Sequence, residues 1–246
     1  MSKFFKTKGY ERRQNLKKAA VNESIFDNID SAEKAYILGF YIADGYITGP
    51  TFGISLNYQD REILEKLRDC MSPMSKITEE KEHIDKNGVV KHTMLRFCFR
   101  NKHIIEILNT YGIGYNKTYL EKRIKHLIPN EFMWDFVRGY FDGDGCISSS
   151  NVTKIVNDRE YYYNNLGWTI ISKDKTILEE LDNFFHEEGI NTCVYPDSKG
   201  NYLVGSHSKI EILKIYNKLY TNCDFYMKRK RNKFNEIMGI PSQAIE

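Results

Sequence analysis

Two copies of one mixed helix-and-strand plan, and therefore an α+β fold, are what this sequence predicts. The first observation is a repeated motif. YILGFYIADGYI at 36–47 and FVRGYFDGDGCI at 136–147 place Gly39, Asp44 and Gly45 at an offset of 100 from Gly139, Asp144 and Gly145. The second is that two further echoes follow in the same order. SLNYQDREILEKL (55–67) pairs with TIISKDKTILEEL (169–181), matching Asp60 to Asp174, and Ile105–Leu108 repeats as Ile210–Leu213, at offsets of 114 and 105. Ordered blocks at drifting offsets describe a duplicated unit whose loops have changed length. The third is that hydrophobic periodicity alternates between helix and strand without the parallel crossovers of an α/β fold.

The elements follow in order. From Ser31 onward, Ala35, Ile37, Leu38, Tyr41 and Ile42 keep a helical spacing that stops at Gly45, with Asp30 or Ser31 as the cap. Segment 52–57 alternates as a strand, and 58–71 returns to helical spacing. Over 91–100, Thr93, Leu95, Phe97 and Phe99 fall on one face and His92, Met94, Arg96, Cys98 and Arg100 on the other; a helix over 101–111 closes the unit. The second copy predicts a helix at 130–143, strands near 146–152 and 165–172, a helix at 174–188, strands near 191–196 and 201–206, and a helix at 207–221. Each unit thus reads αββαββα. The expected boundaries are a basic extension at 1–30, a first repeat at 31–125, a second at 126–233 and a tail at 234–246.

Composition narrows the function classes. With 246 residues, 41% hydrophobic and 13% aromatic, the chain has the material for a packed core. No apolar run is long enough to span a bilayer and none follows the basic start, so neither a membrane span nor a secretory signal is expected. Five scattered cysteines without a C-x-x-C pair fit a reduced, intracellular setting (cytoplasmic, organellar or nucleoid-associated) rather than disulfides or thiolate zinc. The net charge of +3 hides an asymmetry: residues 1–18 carry seven Lys/Arg against Glu11, and five more fall within 228–233. Basic arms around an acidic body suit phosphate contacts through counterion release, though a solvated terminus explains the first arm equally well.

The motif helices carry the chemistry. Gly39 and Ala43 share one helix face, as do Gly139 and Gly143, and small residues at that spacing let two backbones approach. The predicted consequence is a helix pair about a pseudo-twofold axis, bringing Asp44 and Asp144 side by side at the helix C-termini. There each carboxylate faces the negative end of a helix dipole and the two repel each other. A hard divalent cation would reconcile them, since Mg²⁺ and Ca²⁺ prefer carboxylate and carbonyl oxygens. The competing reading, that each Asp only serves a local D-G turn, fits a single copy better than two in matched context.

At these residues the sequence resembles the LAGLIDADG homing endonucleases in their single-chain, two-motif form. ILGFYIADG (37–45) and VRGYFDGDG (137–145) are the matches, and the echoes extend the likeness over most of 31–233; Ile42 departs from the pattern, where the family often has an acid. The resemblance implies a DNA-binding saddle of two four-stranded antiparallel sheets with the motif helices beneath it. It implies Mg²⁺-dependent hydrolysis of one phosphodiester per strand of a long double-stranded DNA site, leaving short 3′ overhangs, with Mn²⁺ or Ca²⁺ able to substitute for binding. Asp44 and Asp144 match the metal-binding catalytic acids, and the carbonyls of Ala43 and Gly143 match positions that add ligands. The family also places a lysine near each metal; Lys117 and Lys228 are the candidates, with Lys230 serving as well, and Asn57 is a candidate polar partner.

Strand alternation offers Thr48, Ser55, Asn57, His92, Arg96 and Arg100 for base readout in the first unit, and Ser148, Ser150, Asn151 and Thr169 in the second, with Lys230 in a phosphate-binding strip. Each of these taken alone also reads as an ordinary solvated residue. No G-x-S-x-G, H-E-x-x-H or P-loop competes with this reading. The chain's ends favour a free-standing, monomeric protein over an intein, since no splicing residues stand there. An RNA-binding intron maturase and a catalytically inactive DNA-binding regulator are the alternatives on the same scaffold.

Overall fold

A computed structural model describes residues 21–84, 88, 90–114 and 124–241. The chain divides into two compact units, one of residues up to Asn28 with Gly45–Ile107, the other of Ile29–Asp44 with Leu108 onward. The first motif helix, α1 (Ala32–Asp44), therefore groups with the second unit rather than with the rest of its own repeat.

In the first unit, β1 (Gly45–Thr48) and β2 (Thr51–Asn57) lead through a 3₁₀ turn (Tyr58–Asp60) to α2 (Arg61–Met71). Then come β3 (Thr78–Glu80), the small pair β4 (His83–Ile84) and β5 (Val90–Lys91), β6 (Met94–Arg100) and α3 (Lys102–Thr110). The sheet is antiparallel in the order β1-β2-β6-β3. Phe52, Ile54, Leu56, Leu95 and Phe97 are buried on one face, as the alternation predicts. Part of the segment expected as an extension joins this core: Phe26 is fully buried with its ring 6.2 Å from that of Phe52, and Asn22 N donates to Met71 O at 2.9 Å. Residues 1–20 of that extension lie outside the described residues.

In the second unit, a 3₁₀ turn (Asn130–Phe132) starts α4 (Met133–Asp144), followed by β7 (Gly145–Val156), β8 (Arg159–Ser172), α5 (Lys175–Glu187), β9 (Cys193–Pro196), β10 (Tyr202–Ser206) and α6 (Lys209–Tyr220). The sheet order β7-β8-β10-β9 reproduces that of the first. The echoes hold in place as well. Asp60 and Asp174 are both buried at helix starts, and the repeated Ile-Glu-Ile-Leu falls in α3 and α6.

Two elements differ from the expectation. The strands predicted near 146–152 and 165–172 belong to one long hairpin, because Asn157 and Asp158 adopt left-handed φ of 50° and 59° and close a two-residue turn. The basic cluster starts a helix, α7 (Lys228–Met238), so the boundary drawn at 233 falls inside an element. Met227, Phe234 and Met238 are buried along it, and Gly239 ends it at φ 67°.

The centre of the second unit is the α1–α4 pair. A Cβ built on Gly39 would fall on the Phe136 carbonyl and 2.9 Å from Tyr140 N; one on Gly139 would fall on the Tyr36 carbonyl and 2.9 Å from Phe40 N. These contacts are equivalent under the offset of 100, which is the pseudo-twofold expected from the sequence. Gly39→Val or Gly139→Val should therefore lower stability in urea denaturation by at least about 3 kcal/mol, because a backbone rather than a flexible side chain would have to move.

Candidate active site and strand faces

Asp44 and Asp144 are the last residues of α1 and α4. The helix ends converge, since a Cβ on Gly143 would overlap that of Ala43 and stand 3.2 Å from Asp44 Oδ2. The Asp44 carboxylate thus lies against Gly143 in the last turn of α4, one residue before Asp144. Among the described residues no group of three or more His, Cys, Asp or Glu gathers at a metal-like site. A cation here would draw on the two carboxylates and on backbone carbonyls at 43 and 143. That all-oxygen donor set fits a hard ion such as Mg²⁺ rather than zinc.

Lys230 reaches this end of the helix pair. Lys230 Nζ donates to the Gly145 carbonyl and lies 5.5 Å from the Phe141 ring centroid. Burial pushes its ammonium pKa down, and the negative charges of Asp142 and Asp44 oppose that shift. Lys228, one of the lysines expected near a metal, is the exposed first residue of α7. A residue in the first turn of a helix and one two positions later point in different directions, which spacing along the chain could not resolve. Lys117 lies outside the described residues.

Behind this lysine lies a buried polar network outside the residues expected from the sequence. Asp142 is fully buried, and its Oδ2 accepts from the Tyr36 hydroxyl at 2.7 Å and from Met227 N at 2.6 Å. Burial pushes its carboxyl up to about 7, against the lowering effect of those two donors. Arg138, 3% exposed, donates to Phe225 O at 2.6 Å and Leu219 O at 2.9 Å and pairs with Asp135. The available signal was the contrast between apolar Leu38 and Ile42 in one motif and charged Arg138 and Asp142 in the other.

The strand-face residues divide cleanly. On the sheet of the first unit, Thr48, Ser55, Asn57, Arg96 and Arg100 share the face opposite the core, with Ser55 across from Arg96 and Thr51 across from Arg100. Arg96 stands 5.8 Å from the Tyr46 ring centroid and 3.6 Å from Glu80. Asn57 also accepts from Gln59 N at 3.0 Å, capping the 3₁₀ turn. His92 falls just outside β6 and contacts Glu82 at 3.2 Å.

On the second sheet, Ser148, Ser150 and Thr169 lie on the face opposite buried Ile147 and Trp168. Asn151 does not join them. It follows Ser150 directly, pairs with Asn164 and shares the Ile147 side, as a period of two requires. The hairpin extension adds Lys154, Arg159, Tyr161 and Tyr163 to the open face, residues that the shorter predicted strands could not include. The Asn157–Asp158 turn was the signal that would have found them.

The profile of the LAGLIDADG-like domain matches residues 131–221. Among curated proteins, the chain is 24% identical over 182 residues to reverse gyrase of Methanocaldococcus jannaschii, covering 73% of this chain and 10% of that protein. It is 22% identical over 188 residues to the replication factor C small subunit of the same organism, covering 72% and 10%. The chain thus spans only about a tenth of the length of these relatives. Among solved structures, the meganuclease I-SmaMI bound to uncleaveable DNA aligns over 85% of this chain and 90% of its own, with TM-score 0.57 and 13% identity. The homing endonuclease I-WcaI bound to its DNA recognition sequence aligns over 83% and 87%, with TM-score 0.56 and 15% identity. The repeated motif, the helix pair and these alignments converge: residues 131–221 match the LAGLIDADG-like domain, and the chain has the fold of the LAGLIDADG homing endonucleases.

Proposed function

We propose that this protein is a site-specific endonuclease that cuts both strands of a long double-stranded DNA site, one phosphodiester each, leaving short 3′ overhangs. The observation that carries the reading is the convergence of Asp44 and Asp144 at abutting helix ends, an arrangement of like charges that stability alone disfavours. The two carboxylates, with the carbonyls of Ala43 and Gly143, would hold Mg²⁺; Mn²⁺ or Ca²⁺ would substitute for binding. The bound cation supplies Lewis acidity for phosphodiester hydrolysis.

The chain's own residues supply the rest. Lys230 presents a fixed positive charge beside the acid pair, suited to the charge that develops on a phosphate under attack. The open faces of the two sheets offer Arg96, Arg100, Lys154 and Arg159 to phosphates and guanine edges, and Thr48, Ser55, Asn57, Ser148, Ser150 and Thr169 to other base edges. Lys228, exposed at the start of α7, suits a phosphate contact. Two repeats in one chain supply both acids, so a monomer suffices. That both acids stand at the site speaks against an inactive regulator. No described helix is long and apolar enough to cross a membrane.

The test begins with duplexes enriched by binding from a random library. Wild-type protein should cut both strands with Mg²⁺ and neither in EDTA. Asp44→Asn and Asp144→Asn should abolish cutting while leaving Kd within about threefold, and Lys230→Met should slow it about 10²–10³-fold. Bound duplexes that stay uncut with Mg²⁺ and Mn²⁺ would overturn the enzyme reading, and preferential protection of structured intron RNA would favour a maturase.

A further inference from the structure

The second motif helix carries two charged side chains that the first lacks. Arg138 and Asp142 lie four residues apart on one face of α4, where α1 has Leu38 and Ile42. The partner across the pair differs too, since Tyr36, which donates to Asp142, corresponds to Phe136. A bond that exists on one side of the pseudo-twofold is thus replaced by apolar residues on the other. Core packing alone does not demand these charges, because α1 fills the matching positions with buried Leu38 and Ile42.

Both side chains grip the same stretch of chain. Arg138 holds the carbonyl of Leu219 near the end of α6 and that of Phe225 in the link that follows. Asp142 holds the N–H of Met227, the residue that caps α7. Lys230 is one turn further on, with its own N–H returning to Met227 O at 3.0 Å. The chain from the end of α6 to the cap of α7 is therefore tied to α4 at three backbone atoms, and this sets where the Lys230 side chain can reach. The place it reaches is the Gly145 carbonyl, one residue beyond Asp144.

We infer that Arg138 and Asp142, with Tyr36 behind Asp142, are positioning residues that hold the Lys230 ammonium at the acid pair and make the two halves of the site unequal. The catalytic part of this inference rests on the endonuclease reading above; the placement of Lys230 does not.

The experiment has two readouts on Asp142→Asn and Tyr36→Phe. In ¹⁵N-lysine-labelled protein, the Lys230 ammonium gives a slowly exchanging NMR signal, identified by its loss in Lys230→Arg. In both variants that signal is expected to shift or broaden while thermal melting shows a folded protein. On an enriched duplex with Mg²⁺, kcat for one strand is expected to fall about 10–100-fold with KM within about twofold, so that nicked duplex accumulates. A Lys230 signal unchanged in the folded variants, or equal slowing of both strands, would overturn the inference. Should wild-type protein cut no duplex, the endonuclease reading fails and the NMR signal still decides the placement. Should Asp142→Asn not fold, Tyr36→Phe, which removes one hydroxyl, decides alone.

Discussion

Contact between two helix backbones at Gly39 and Gly139 is the constraint on which the second unit depends. Any side chain at either position would meet the partner's carbonyl, so the approach exists only because these positions are empty. A glycine inside a helix costs about 1 kcal/mol relative to alanine, and this pair accepts that cost twice. What it obtains is convergence: the next turn brings Ala43 against Gly143, and the turn's end brings Asp44 beside Asp144. Like-charged groups at the unfavourable end of two dipoles work against folding, a pattern typical of residues kept for chemistry rather than for stability.

Around that symmetric contact the two motifs have diverged. The helix of the first repeat is apolar along the face where the second carries Arg138 and Asp142, and a Tyr36 hydroxyl answers Asp142 where Phe136 answers nothing. Buried charges cost least when their hydrogen bonds are made, and here Arg138 and Asp142 Oδ2 find backbone atoms from the end of α6 to the start of α7 together with that hydroxyl, while Asp142 Oδ1 has no hydrogen-bond partner among the described residues. The network thus converts two costly groups into anchors for the segment that delivers Lys230. Duplication supplies the frame, and departures from duplication supply what distinguishes one half from the other.

The sheets follow a simpler rule. In each, one face is closed by apolar residues and the other is left to polar and basic ones, with the same strand order in both units. They differ in reach. In the second sheet, β10 covers β8 only over Trp168–Ser172, so the outer part of the β7–β8 hairpin projects as a two-stranded ribbon bearing exposed Tyr161, Tyr162 and Tyr163. A ribbon with both faces exposed has no core to bury those tyrosines, and their exposure is a property of length rather than of misfolding.

Much of this was legible in the residues alone. Glycines and acids repeated at one offset announce a helix pair with converging carboxylates, because local spacing dictates which residues share a helix face. Alternation in β6 separates Leu95 and Phe97 from Arg96 and Arg100 for the same reason. The failures are equally physical. Asn151 was grouped with Ser150 although neighbours on a strand point to opposite sides. The helix α7 hid beneath its charges, its buried Met227, Phe234 and Met238 diluted by five basic residues. Chain order and periodicity were enough for most of the element plan, and repetition of one motif at a fixed offset pointed to the helix pair although its partners stand about 100 residues apart. That Lys230 meets the Gly145 carbonyl, and that Arg138 and Asp142 anchor the chain around the start of α7, rests on contacts between residues more than 80 positions apart, and only packing determines which of those meet.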